Sequence, residues 1–254
     1  MKRKYEIAVI SKNGYARPVR IYAPKSADRA IIMHDGQNVF YDEDAVYKKS
    51  WRALDALKSA GVKNTAIIGV DCTPTRMDDY LPFPIELDEY KPSCGGTGGK
   101  AAEYFDYLEE MLLPYLDKRF GFKKYAMLGS SAGALATLGF AARKPDKFIA
   151  YGLFSAPLFI CPAAYEKFFD ALSLDGDAYY QAYCGGSELS GELDDPELIK
   201  AVPQLYVQSA FTLTDALRRG GAKKLTLTVN NEGVHDETCW RAPEKEFFAA
   251  FSAL

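Results

Sequence analysis

Hydrophobic and polar positions change rhythm several times along the chain, and each rhythm predicts an element. Near the start Tyr5, Ile7 and Val9 alternate with other residues, and Asn13-Gly14 is a strong hairpin signal. Val19, Ile21 and Tyr22 carry the return strand, which stops at Pro24. Short apolar runs without alternation follow at 30–33, 65–70, 125–128 and 149–154, the pattern of strands buried on both faces. Further strands are expected at 178–183 and at 225–229, where Leu and Thr alternate.

Helical spacing lies between these runs. Residues 51–60 look helical and are stopped by Gly61. Residues 101–118 place Tyr104, Tyr107, Leu108, Met111, Leu112 and Tyr115 on one face. Residues 132–140 are rich in Ala and Leu, and 163–172 form a shorter helix. A long helix opens at Asp195 as N-cap with Pro196 at its first position, and closes at Gly220-Gly221. A last helix is expected from about Pro243. Strands alternating with helices predict an α/β fold: a mostly parallel central sheet with an antiparallel N-terminal hairpin and helices on both faces. Sites in such sheets lie beyond the carboxyl ends of the strands.

One segment, 71–99, breaks the rhythm. Pro74, Pro82, Pro84 and Pro92 exclude a continuous helix, and glycines close it. Long loops in compact domains tend to be functional, so this one is expected to form a wall of the site.

Composition narrows the class. At 254 residues the chain suits one large domain, 1–254. A net charge of −3 with both signs spread along the chain speaks against nucleic acid and anionic membrane surfaces. The five cysteines are scattered without a C-x-x-C pair, so neither a zinc site nor a disulfide framework is indicated. The N-terminus has a basic start but no long apolar core or small-residue cleavage site, and nothing reaches transmembrane length. A soluble, cytoplasmic protein is expected.

The candidate chemistry begins at Gly129-Ser130-Ser131-Ala132-Gly133, a G-x-S-x-G pattern centred on Ser131. A chain this long shows the bare pattern by chance roughly one time in ten. Its context, a buried strand before and a helix after, is that of a sharp turn that lifts a nucleophile above a sheet. A serine hydroxyl needs a base within reach, and the chain has 2 histidines. His235 follows the last strand, where a base belongs; His34 reads as support for its own loop. Glu188, beyond a Gly-Gly turn after the 178–183 strand, is the first choice for the acid. Asp194 and Glu192 are rivals; Asp195 is already used as a cap and Asp236 is adjacent to His235. The backbone N–H groups of Ala132 and of Gln37, with Gly36 as fallback, are the expected oxyanion donors.

Several motifs together carry a family resemblance: 34–40 (HDGQNVF), 76–83 (RMDDYLPF), 129–133, 145–148 (PDKF) and 233–236 (GVHD) with Trp240. In this order and over nearly the whole chain they resemble the Putative esterase family of α/β-hydrolases, which includes enterochelin esterases, esterase D, feruloyl esterases and mycolyltransferases. The resemblance implies an α/β-hydrolase fold and a Ser131, His235 and Glu188 triad. It implies oxyanion donors at Gln37 and Ala132, and neither metal nor cofactor. Ala134 stands where many members have a second glycine. From the 71–99 segment, Arg76, Tyr80 and Phe83 are expected to touch substrate, with Tyr90 as a further aromatic. From Cys72 to Gly98 the cations Arg76 and Lys91 face five anions, Asp78, Asp79, Glu86, Asp88 and Glu89, which speaks against a highly anionic substrate. The expected partner is a small-molecule ester, aryl or apolar. The expected activity is hydrolysis through an acyl-enzyme, with acyl transfer or a non-catalytic binding module as the alternatives.

Overall fold

In the computed structural model, which describes residues 3–12, 15–87, 95–144, 148–189, 191 and 194–254, the apolar runs become one sheet. β1 (Glu6–Lys12) and β2 (Tyr15–Tyr22) pair antiparallel, with Glu6 opposite Ile21 and Lys12 opposite Tyr15. The predicted turn at Asn13-Gly14 lies outside the described residues. β3 (Arg29–His34), β4 (Thr65–Val70), β5 (Lys124–Ser130), β6 (Ala150–Phe154), β7 (Tyr179–Gly185) and β8 (Lys224–Asn230) run parallel to one another. The sheet order is β1-β2-β4-β3-β5-β6-β7-β8, and β2 meets β4 antiparallel. Every residue of β3, β4 and β6 is buried, as expected for strands covered on both faces. β1 departs from its sequence pattern: Ile7 and Val9 are exposed, at 56% and 68%, because this edge strand is covered on one face only.

Alternate side chains of β3 divide between two cores. Ala30 and Ile32 belong to the core that also takes in residues of α2 (Arg76–Tyr80), α3 (Ala101–Tyr107), α4 (Leu113–Phe120), α5 (Ala132–Arg143), α6 (Pro162–Asp170) and α7 (Pro196–Arg219). Ile31 and Met33 face α1 (Ala53–Ser59) and α8 (Glu237–Ala253), joined by Trp51, Phe154 and Trp240. The predicted helix at 101–118 is one rod of α3 and α4 joined by a π turn at Leu108–Leu112. Pro114, at the start of α4, has no N–H to offer the preceding turn, which accounts for the slip in register.

α8 begins six residues before Pro243. Asp236 caps it, accepting from Thr238 N at 2.8 Å and Cys239 N at 3.2 Å, and Pro243 is accommodated inside the helix. The next residue, Glu244, is fully buried, and neither of its carboxyl oxygens has a hydrogen-bond partner among the described residues. Burial holds its pKa well above that of a free glutamate. The folded state therefore keeps a proton that the unfolded chain releases above its pKa of about 4.5. Stability attributable to this residue is intact at lower pH and falls as pH rises beyond that point. Glu244→Met, similar in volume and apolar, is expected to raise stability by about 1–3 kcal/mol at pH 8. Chemical denaturation from pH 5 to pH 8 should show the gain growing with pH.

Candidate active site

Ser131 sits between the end of β5 and the start of α5, with φ 56° and ψ −128°. This backbone region is nearly exclusive to glycine and stores about 1–3 kcal/mol. The turn is held by Ser131 N donating to Phe154 O at 2.8 Å. Gly129 is obligatory beneath it, since a Cβ there would lie 2.2 Å from Gly133 O and 2.8 Å from His34 Cδ2. Ser131 is partly exposed, whereas Ser130 is buried.

The acid and base candidates meet at the ends of β7 and β8. His235 Nδ1 lies 2.5 Å from Glu188 Oε2, with the carboxylate fully buried. Oε1 of Glu188 accepts from Gly185 N at 2.7 Å and from Ser155 Oγ at 2.5 Å. Ser155 Oγ in turn accepts from Trp240 Nε1 at 2.9 Å. A Cβ on Gly185 would fall 2.3 Å from Gly233 O, so the Gly-Gly turn lets the two loops touch. Gly186 N to Asn230 O and Ser187 N to Gly233 O, at 2.7 and 2.9 Å, tie them together. The His235 ring stands between Tyr206 and Trp240, at centroid distances of 5.0 and 5.1 Å. Among the described residues no hydrogen bond joins Ser131 to His235; such bonds commonly tighten only with substrate in place.

Of the rival acids, Asp195 and Asp236 are occupied and Asp194 is exposed. Asp195 caps α7 by accepting from Glu197 N at 2.8 Å, and Asp194 beside it is exposed. Asp236 caps α8 and pairs with Lys49 at 2.7 Å. Glu192 lies outside the described residues.

His34 is enclosed behind the turn, its Nδ1 2.9 Å from the Tyr104 hydroxyl. Burial pushes its pKa down to about 3, so it stays neutral near pH 7 and is a poor base. After it, Asp35 adopts φ 53° and starts a 3-10 turn over Gly36–Asn38. The turn's first bond runs from Asn38 N to Asp35 O at 2.8 Å, which leaves the Gln37 N–H ahead of it and unused by the turn. Among the described residues the Ala132 N–H, in the first turn of α5, likewise has no hydrogen-bond partner. The Gln37 amide fixes the loop from the other side, donating to Cys72 Sγ at 3.2 Å and accepting from Cys72 N at 3.1 Å. Asn38 Nδ2 donates to Glu237 at 2.7 Å, joining the β3 loop to the helix that follows His235.

The three substrate-contact expectations fare differently. Tyr80 is fully buried; its hydroxyl accepts from Asp35 N at 3.0 Å and its ring packs on His34 and Tyr104. The structure thus removes Tyr80 from the substrate-facing set and makes it a support of the β3 loop. Tyr80→Ala is expected to lower stability by about 3–5 kcal/mol, read as a large fall in Tm. Arg76 forms a bidentate pair with Asp35, both bonds 2.7 Å, which outweighs burial and holds the Asp35 pKa low. Phe83 packs edge-on against Tyr165 and Phe168 of α6, at 5.1 and 5.6 Å. The 71–99 segment contains a five-residue helix, α2, where the sequence suggests only loop. Asp78 receives Thr97 N, Gly98 N and Lys100, and Asp79 pairs with the buried Arg17 at 2.6 Å. These two anions serve internal ties, so the negative balance of the segment overstates the field at the site. Tyr90, Lys91, Asp88, Glu89 and residues 145–147 lie outside the described residues.

The sequence reading missed Ser155, which is fully buried at the end of β6. Its one signal is a polar residue directly after a wholly apolar strand, a position where a hydroxyl must find partners.

A family model described as Putative esterase matches residues 11–242. None of the curated proteins matches the sequence. Among solved structures, an IroE-like serine hydrolase from Shewanella oneidensis is similar over 98% of this chain and 80% of its own, with TM-score 0.74 and 17% identity. The siderophore hydrolase EstA from Aspergillus nidulans is similar over 99% of this chain and 95% of its own, with TM-score 0.76 and 17% identity. The enterobactin esterase FES from Shigella flexneri, solved with 2,3-dihydroxy-N-benzoylglycine, matches 98% of this chain and 59% of its own, with TM-score 0.69 and 13% identity.

Proposed function

From the premise that the chain belongs to the Putative esterase family and is a carboxylic ester hydrolase, we propose that it works through an acyl-enzyme on Ser131 with His235 and Glu188. The observation that carries this reading is the buried Glu188 carboxylate 2.5 Å from His235 Nδ1, at the same end of the sheet as the strained Ser131. His235 Nε2 takes the Ser131 proton as Oγ attacks the ester carbonyl. The carbonyl oxygen becomes an oxyanion facing the N–H groups of Gln37 and Ala132. Collapse breaks the bond to the alcohol oxygen, which leaves with the proton from His235. Water then repeats the cycle, releasing the acid and restoring Ser131.

A small or aryl ester is the proposed substrate. Phe159, Tyr206 and His235 form a run of rings at centroid spacings of 5.0 Å each, which brings aromatic surface up to the base. An aromatic ligand also accompanies the Shigella flexneri structure. The cytoplasm is the proposed compartment, in keeping with the unpaired thiols of Cys72, Cys161, Cys184 and Cys239. Among the described residues no helix is long and apolar enough to cross a membrane. Rapid-mixing kinetics on a panel of aryl and alkyl esters tests the reading. A burst of alcohol approaching one equivalent per enzyme on the aryl members is expected; turnover without acyl-enzyme accumulation on any member, even when trapped by acid quench, would count against it.

A further inference from the structure

Ser155 follows β6 and is fully buried, with its backbone at φ 50°. Every side chain is disfavoured there, and a position needed only for the turn would be better served by glycine. The serine hydroxyl is used twice, donating to Glu188 Oε1 at 2.5 Å and accepting from Trp240 Nε1 at 2.9 Å. An indole nitrogen can only donate. The proton order along the chain is therefore fixed: Trp240 N–H to Ser155 oxygen, and Ser155 O–H to the carboxylate. Without the indole the hydroxyl could turn its proton elsewhere.

We propose that Ser155, oriented by Trp240, is a positioning residue that fixes the Glu188 carboxylate with its Oε2 aimed at His235. The inference rests on the Ser131, His235 and Glu188 reading. With Ser155 and the Gly185 N–H both on Oε1, the other oxygen is left to the imidazole. Among the described residues, Cys184, Tyr183, Tyr206 and Cys239 carry the other titratable groups around the pair, and Asp236 nearby is held by Lys49. Burial pushes the Cys184 thiol up and the Tyr183 hydroxyl up to about 12, so neither supplies a competing charge near pH 7.

Hydrogen bonds to a carboxylate stabilise its charge. Removing the Ser155 donor leaves Oε1 with the Gly185 N–H and lets the carboxylate turn, so the imidazole it orients is held less well.

The test compares Ser155→Ala, Ser155→Gly, Trp240→Phe and the double variant S155A/W240F with Glu188→Gln on one aryl ester, each with a thermal melt. Both Ser155 variants are expected to lower kcat and kcat/KM together by about 10- to 100-fold, with KM unchanged. Glycine relieves the backbone, so S155G should match S155A in rate while melting higher. Trp240→Phe alone should lose less, and S155A/W240F should stay within about threefold of S155A, because the indole acts through the hydroxyl. If S155G is folded and keeps wild-type kcat and kcat/KM while Glu188→Gln is crippled, Ser155 only packs and the inference falls. If Glu188→Gln itself is near wild type, the triad reading fails first and takes the inference with it.

Discussion

Ser131→Ala is expected to lose turnover of p-nitrophenyl acetate by at least about 10³-fold, with the far-ultraviolet spectrum and melt unchanged. The loss is large because the three residues act as a unit, so removing the hydroxyl removes the contribution of His235 as well. The melt is unchanged because alanine inherits the same backbone, φ 56°, without gaining or losing a buried contact. Ser131→Gly separates the two effects. Glycine tolerates this conformation, so that variant should be equally inactive yet more stable by about 1 kcal/mol, the strain relieved less the entropy of a freer unfolded chain. Steady-state rates and thermal denaturation of both variants measure this. A Ser131→Ala variant with near-normal rates would remove the residue from the chemistry.

Glu188→Gln is expected to lose about 10⁴-fold in kcat/KM, the loss seen when the acid of a hydrolase triad is removed. The structure gives the reason. Oε1 accepts from Gly185 N and Ser155 Oγ, so the glutamine oxygen must take that place. Its NH₂ group then faces His235 Nδ1 and donates to it, which forces the ring proton onto Nε2. A ring protonated at Nε2 cannot accept from Ser131, and no buried negative charge remains to stabilise the imidazolium. Asp195→Asn should change little, since asparagine caps α7 about as well. Asp194→Asn, at an exposed position, should be silent. Comparing kcat/KM and Tm for the three variants on one ester decides the acid. A folded but crippled Asp194→Asn beside a near-normal Glu188→Gln would transfer the role to Asp194.

Most strands were legible because each is a local pattern. β4 matches its apolar run residue for residue, and β3, β5, β6, β7 and β8 differ from theirs by one to a few residues at the ends. The Glu188–His235 contact was suggested by loops at the ends of neighbouring strands, and β7 and β8 are adjacent in the sheet. Other features depend on partners far apart in sequence. Tyr80 looked like a loop aromatic, but its place is set by His34, Asp35 and Tyr104. Asp78 and Asp79 looked like surface charge, but Lys100 and Arg17 neutralise them. α8 starts earlier than Pro243 suggests, because Asp236 caps it and the proline is accommodated inside, its carbonyl accepting from Gln181 Nε2 at 2.9 Å. Ser155 shows in sequence only as a polar residue after an apolar strand; its partners, Trp240 and Glu188, lie 85 and 33 residues away.

The central claim is that Ser131 is a nucleophile activated by the His235–Glu188 pair. Its most direct measurement is labelling with a fluorophosphonate, followed by peptide mapping by mass spectrometry. The wild-type enzyme should carry the adduct on Ser131 and not on the adjacent Ser130, and folded Glu188→Gln should label far more slowly at the same residue. An adduct on Ser130, or labelling of Ser131 at the same rate in both proteins, would contradict the account.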